Sequence, residues 1–196
     1  MREAADTHHP YLVAVVGSPR PEGNTDYLVE AALADLRAVG VRCEKLVLAD
    51  YRIQPCLGHD ECADIAVCPH HDDAEPLLEK VYAADGLILA TPVYYEDVSA
   101  QMKTFIDRNY RFYMRDRWLQ PRAVGVIVVA GETGLDETVA TLRRYLALSS
   151  QRELPVEVVS GLASAPGDAA AQPALLEDVR RMAAWLAAAL LSPPSP

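Results

Sequence analysis

Apolar runs of strand length alternate along this chain with stretches in which apolar residues recur at helical spacing. The runs Tyr11–Val16, Val41–Leu48, Gly86–Ala90, Ala123–Ala130 and Pro155–Val159 read as five strands. Most carry too few polar positions for an alternating pattern, so they are expected to be covered on both faces. Helical patterns lie between and after them, near Thr25–Val39, Ala74–Ala84, Ser99–Asn109, Leu135–Leu148 and Ala174–Leu190. In the first, Leu28, Val29, Ala32, Leu33 and Leu36 fall on one face. Regular βα alternation predicts an α/β fold, a doubly wound three-layer sandwich around a five-stranded parallel sheet. Ligands of such sheets sit beyond the carboxyl ends of the strands, where the strand order reverses. The loops after the first, third and fourth strands are therefore expected to converge on one site. Residues 11–191 are expected to form a single domain, with 1–10 and 192–196 as disordered tails.

Composition narrows the class. A chain of 196 residues with 51% hydrophobic content can bury one substantial core. A net charge of −10 argues against a nucleic-acid-binding surface. The Ala/Leu-rich stretch Met182–Leu191 is too short to span a bilayer and follows Arg180-Arg181. Acids and histidines near the N-terminus do not read as a secretory signal, so a cytoplasmic location is expected. Four cysteines in a reducing compartment then point to metal binding, redox chemistry or plain burial, not to structural disulfides.

Gly17-Ser18-Pro19-Arg20-Pro21-Glu22-Gly23-Asn24-Thr25 follows the first strand directly and opens the first helix. Backbone N–H groups at a helix start favour a bound phosphate, glycines permit close approach, and Ser18, Asn24, Thr25 and Arg20 can add donors and charge. The same turn would also suit an ordinary strand-to-helix connection with a side-chain cap. Neither the Gly-Lys-Ser/Thr of a nucleoside triphosphatase loop nor Gly-x-Gly-x-x-Gly is present. After the third strand comes Thr91-Pro92-Val93-Tyr94-Tyr95-Glu96-Asp97-Val98-Ser99. Its aromatics could flank a flat ring or simply cover the core.

The phosphate-loop residues, Thr91-Pro92-Val93-Tyr94, and Lys103-x-Phe105-Ile106-Asp107-Arg108 occur in the same order in the flavodoxin-like NAD(P)H-dependent FMN reductase family, which this chain resembles from about Tyr11 to about Gly161. The resemblance implies that Ser18, Arg20, Asn24 and Thr25 hold the FMN phosphate. It places Pro92, Val93, Tyr94 and Tyr95 against the isoalloxazine, and Gly131, Glu132 and Gly134 in a third flavin-contacting loop. Lys103, Asp107 and Arg108 read as structural ion-pair or interface residues.

Pro55-Cys56-Leu57-Gly58-His59-Asp60-Glu61-Cys62, followed by Cys68 and Asp72-Asp73, resembles the cysteine segment of the family's iron–sulfur flavoproteins, with His59 in place of the second cysteine. Cys56, His59, Cys62 and Cys68 could hold a cluster or a zinc ion. A metal-free segment is the preferred alternative. Cys43 reads as a small buried apolar residue. Tyr110–Leu119 interleaves aromatics with arginines, as a subunit interface or substrate-pocket wall would, or as a helix extension packed on its own domain. Since the family builds its flavin site between subunits, a homodimer or homotetramer is expected. The implied activity is electron transfer from NAD(P)H through FMN to a small acceptor such as a quinone, flavin, nitro or azo compound. An electron carrier, of flavodoxin or iron–sulfur flavoprotein type, and a flavin- or metal-binding sensor without turnover are the alternatives.

Overall fold

The computed structural model describes residues 9–193; the expectations for residues 1–8 and 194–196 lie outside them. Five parallel strands, β1 (Tyr11–Val16), β2 (Arg42–Val47), β3 (Gly86–Tyr94), β5 (Ala123–Ala130) and β6 (Val156–Leu162), stand in the order β2-β1-β3-β5-β6. A short sixth strand, β4 (Asp97–Val98), pairs antiparallel with the end of β3. This is the flavodoxin-like order, with its reversal point between β1 and β3.

The sheet is central because its middle strands are apolar on both faces, and all residues of β1 and β5 are buried. Successive side chains point to opposite sides, so each strand feeds two cores. Leu12, Ala14, Val16, Ile88 and Ile127 pack under α1 (Asn24–Ala38) and α6 (Pro173–Leu191). Val13, Val15, Leu87, Leu89 and Val126 pack under α2 (Ala74–Tyr82), α3 (Ala100–Arg108), the short α4 (Tyr110–Tyr113) and α5 (Leu135–Leu148). Each fully buried Leu, Ile or Val contributes on the order of 1.5–3 kcal/mol relative to exposure, which fixes the three layers. Among the described residues, no helix is long and apolar enough to cross a membrane.

Two strands run several residues beyond the sequence expectation at their carboxyl ends. β3 continues past Ala90 through Thr91, Pro92 and Val93 to Tyr94, turns at Tyr95-Glu96 and returns as β4. β6 runs on to Leu162 because Ser160, Gly161 and Leu162 pair with Val128, Val129 and Ala130. Both extensions lengthen the carboxyl edge of the sheet, where the site lies.

Candidate functional site

The turn after β1 is shaped by the absence of a side chain at Gly17. A Cβ there would stand 2.8 Å from Met102 Cβ and 3.0 Å from Ser99 Oγ. The Ser99 hydroxyl donates to Gly17 O at 2.6 Å and accepts from Met102 N–H as the N-cap of α3. The chain therefore leaves the sheet tight against α3. Ser18 is buried, and its Oγ accepts from Arg20 N–H at 3.2 Å, closing the turn.

The start of α1 has no side-chain cap, because Gly23 occupies the cap position. The first helical bond runs from Tyr27 N–H to Gly23 O, so the N–H groups of Asn24, Thr25 and Asp26 find no helical acceptor. Asp26 would oppose an anion here, but its carboxylate is held by Lys45 Nζ at 2.7 Å. These donors open into a pocket of about 220 Å³ lined by Ser18, Arg20, Asn24, Thr25, Pro92, Val93, Tyr94, Gly131, Ala163 and Ser164. Typical ligand pockets run from about 300 Å³ upward, so this one has room for only part of such a ligand. Eight of the residues expected at the site are thus brought together, with Arg20 the charged side chain among them.

Three others stand apart from the lining. Tyr95 is fully exposed at the tip of the β3–β4 turn, and Glu132 is exposed as well. Tyr95 and Glu96 both have positive φ, 50° and 64°, in a two-residue turn that usually takes Asn and Gly. Gly134 instead packs beneath that turn. Its φ is +84°, and a Cβ would lie 2.7 Å from Val93 Cγ1 and 2.8 Å from Glu96 Cα. Thr133 Oγ1 donates to Glu96 at 2.6 Å, which locks the loop after β5 onto the hairpin.

Asn24 lines the pocket, but its side chain is committed elsewhere. Nδ2 donates to Ala163 O at 3.2 Å and Ala165 O at 2.8 Å. Oδ1 accepts from Gly167 N–H at 3.1 Å and Ala169 N–H at 3.2 Å. The side chain expected at the phosphate thus has both ends of its amide bonded to backbone groups. This also adds the loop after β6, with Ala163 and Ser164, to a site expected from three loops only. Ser164 Oγ donates to Gly131 O at 2.6 Å, joining that loop to the one after β5.

The structure does not gather Cys56, His59, Cys62 and Cys68 into a metal-holding set; among the described residues no such His/Cys/Asp/Glu group exists. Cys56 and Cys68 are close enough to act electrostatically on Cys62, whose thiol is pushed up first by burial and next by Cys56. His59 Nδ1, however, accepts from Glu61 N–H at 3.1 Å, and Cys68 Sγ accepts from Arg108 at 3.3 Å. The residues present in this geometry do not fit a ligating set. What shapes the segment is a row of guanidiniums. Arg108 meets Asp72 at 2.6 Å and Gln54 O at 2.9 Å, Arg111 meets Glu75 at 3.0 Å and Ala66 O at 2.6 Å, and Arg115 meets Cys62 O at 3.0 Å and Ile65 O.

The same contacts settle part of the Tyr110–Leu119 reading. Arg111, Phe112 and Leu119 are buried in the chain's own interior, and Arg117 pairs with Glu79 while lying over the Phe112 ring. The arginines are engaged within the chain, which is the helix-extension alternative. Lys103 and Asp107 form an exposed i,i+4 pair at 2.6 Å.

Fold and pocket together place an uncapped helix start, of the kind that suits an anion, at the switch point of a doubly wound sheet. Residues 10–165 match the family described as NADPH-dependent FMN reductase. The chain is 36% identical over 146 residues to an iron–sulfur flavoprotein of Methanocaldococcus jannaschii, spanning 71% of this chain and 72% of that protein. It is 36% identical over 156 residues to an iron–sulfur flavoprotein of Archaeoglobus fulgidus, spanning 80% and 70%. The fold is shared with an NAD(P)H:quinone oxidoreductase from Methanothermobacter marburgensis, at a TM-score of 0.69 and 18% identity, covering 89% of this chain and 94% of that one. The chain belongs to the NADPH-dependent FMN reductase family, in its iron–sulfur flavoprotein branch, and is a flavin-dependent oxidoreductase.

Proposed function

We propose that the chain binds FMN at this pocket and passes electrons from NAD(P)H to a small acceptor such as a quinone, flavin, nitro or azo compound. The observation that carries the reading is the uncapped start of α1, opening into a pocket walled by four strand-end loops in a member of an FMN reductase family. When bound, FMN supplies the hydride acceptance and onward electron transfer. The protein's part is to bind and orient. The N–H groups at the start of α1, the Ser18 and Thr25 hydroxyls and the Arg20 guanidinium face the phosphate. Pro92, Val93 and Tyr94 form the apolar wall for the ring, with the Gly131 backbone opposite. Tyr95 and Glu132 are kept as contacts made at the mouth of the pocket, and Gly134 as a support for the wall. No side chain is assigned as an acid or base.

A single phosphate cradle favours FMN over FAD. Arg20→Ala is expected to weaken FMN binding by about 1–3 kcal/mol, the range for a charge-assisted hydrogen bond. Titration of flavin fluorescence measures this, and an unchanged dissociation constant would remove Arg20 from the site. Stopped-flow mixing with NADH and with NADPH should bleach the flavin within turnover time. A flavin that stays oxidised would favour an electron carrier, the reading that the net charge of −10 suits.

We read the cysteine segment as held by protein contacts in place of metal, on the strength of the Arg108, Arg111 and Arg115 contacts. Anaerobically purified protein is expected to carry iron and acid-labile sulfide far below a full cluster per chain. A full complement, lost in Cys62→Ser, would overturn this. The partners we propose are the small-molecule acceptor and further copies of the chain, in a homodimer or homotetramer. The exposed Tyr113 and Leu148, which line one cleft with Tyr110, support self-association.

A further inference from the structure

The amide of Asn24 has two donors and one acceptor oxygen with two lone pairs, and the four hydrogen bonds to Ala163, Ala165, Gly167 and Ala169 use all of that capacity. Every partner is a backbone group, and all lie on the loop between β6 and α6, 139 to 145 residues away in sequence. That loop is braced from its other side by Asp168, whose carboxylate accepts Ala165 N–H at 2.7 Å. It supplies Ala163 and Ser164 to the pocket that the start of α1 opens into.

We propose that Asn24 is a positioning residue for the phosphate end of the flavin site. It clasps the β6–α6 loop to the first residue of α1 and so sets one wall of the cradle, while its side chain makes no bond to the phosphate. This rests on the FMN reading above. The clasp places the wall against the unpartnered N–H groups of the α1 first turn. Its loss lets that wall swing away from the groups that face the phosphate, and leaves the ring-facing wall at Pro92–Tyr94 in place. Aspartate cannot substitute, because an oxygen in place of Nδ2 would face two carbonyl oxygens.

The test compares wild type with Asn24→Ala in two measurements. In the flavin-free protein, hydrogen exchange at the Gly167 and Ala169 amides is expected to accelerate at least roughly tenfold, since both lose their acceptor. In binding titrations, FMN affinity is expected to fall roughly ten- to a hundredfold and riboflavin affinity by less than about threefold, because only FMN uses the phosphate cradle. Loss of FMN affinity with unchanged loop exchange would make the Asn24 side chain a direct ligand and overturn the proposal. Faster exchange with FMN and riboflavin weakened equally would reduce it to a stabilising contact and also overturn it. Should Asn24→Ala fold poorly, Asp168→Ala loosens the same loop from its far end and must give the same pattern. An exposed loop with an unchanged FMN-to-riboflavin ratio in that variant overturns the proposal as well. Wild-type protein that binds FMN and riboflavin equally would sink the FMN reading itself, and the positioning role with it.

Discussion

Arg108→Met is expected to destabilise the protein by about 3–5 kcal/mol, the usual cost of leaving a buried charge without its partner. The Arg108 and Asp72 side chains are only 5% and 1% exposed. Burial alone would raise the Asp72 carboxyl, but the Arg108 guanidinium and the N–H groups of Gln54 and Ala74 outweigh it and hold the pKa down at about 2, from an ordinary 3.8. A depressed carboxyl contributes stability that is fully present above its unfolded value and disappears as pH falls through its folded one. In wild type that contribution, roughly 2 kcal/mol, is therefore complete above about pH 4 and fades toward about pH 2. In the variant, burial without the cation lifts Asp72 instead, so the carboxyl protonates early and its penalty is relieved by acid. The gap between the two proteins should be widest at neutral pH and narrow steadily below about pH 4. Urea unfolding across that range measures it. A gap that stays constant with pH would mean that Arg108 acts through its bonds to Gln54 O and Cys68 Sγ, and not through Asp72.

The same ion pair shows what the sequence could and could not disclose. Arg108, Arg111 and Arg115 share one helical face by spacing alone, and the spacing reads equally well as an interface or as an intrachain contact. The deciding signal is the acidic series Asp72, Glu75 and Glu79, whose members meet Arg108, Arg111 and Arg117. Complementary charge series on two neighbouring segments are visible in the amino-acid order itself and can be matched there. The central strands were legible because burial on both faces leaves β1 and β5 without polar positions. The edge strand β6 was cut short at Val159 because Ser160 and Gly161 carry no strand signal, although register with β5 continues through them. The β3–β4 hairpin was hidden for a different reason: Pro92 lies within the strand, and the turn uses Tyr95-Glu96 where Asn-Gly would have announced it. At the site, the local motif residues fall around one pocket, while the side-chain partners of Asn24 are not foreshadowed by any motif. Its partners sit at the far end of the chain, and no local pattern reports a contact at that separation.

Gly134→Ala is the substitution expected to link stability to flavin binding most directly. An alanine at a φ of +84° costs about 1–2 kcal/mol in backbone strain. Its Cβ would also stand 2.8 Å from Glu96 Cα, a backbone atom that cannot rotate away, and 2.7 Å from Val93 Cγ1. Overpacking of this kind adds about 1–3 kcal/mol. The clash can be relieved only by moving the hairpin tip or the loop after β5, and the Thr133–Glu96 hydrogen bond ties the two together. Either motion displaces Val93, part of the apolar wall of the pocket, while leaving the α1 start and Arg20 untouched. We therefore expect thermal unfolding of the flavin-free variant at a clearly lower temperature. FMN and riboflavin should weaken by similar factors, because the damage falls on the ring-facing wall and not on the phosphate cradle. That pattern is the reverse of the one expected for Asn24→Ala, so the pair of variants separates the two ends of the site. A Gly134→Ala protein that unfolds normally and binds both flavins as wild type does would show that the hairpin and the loop after β5 move freely, and that Val93 forms no fixed wall.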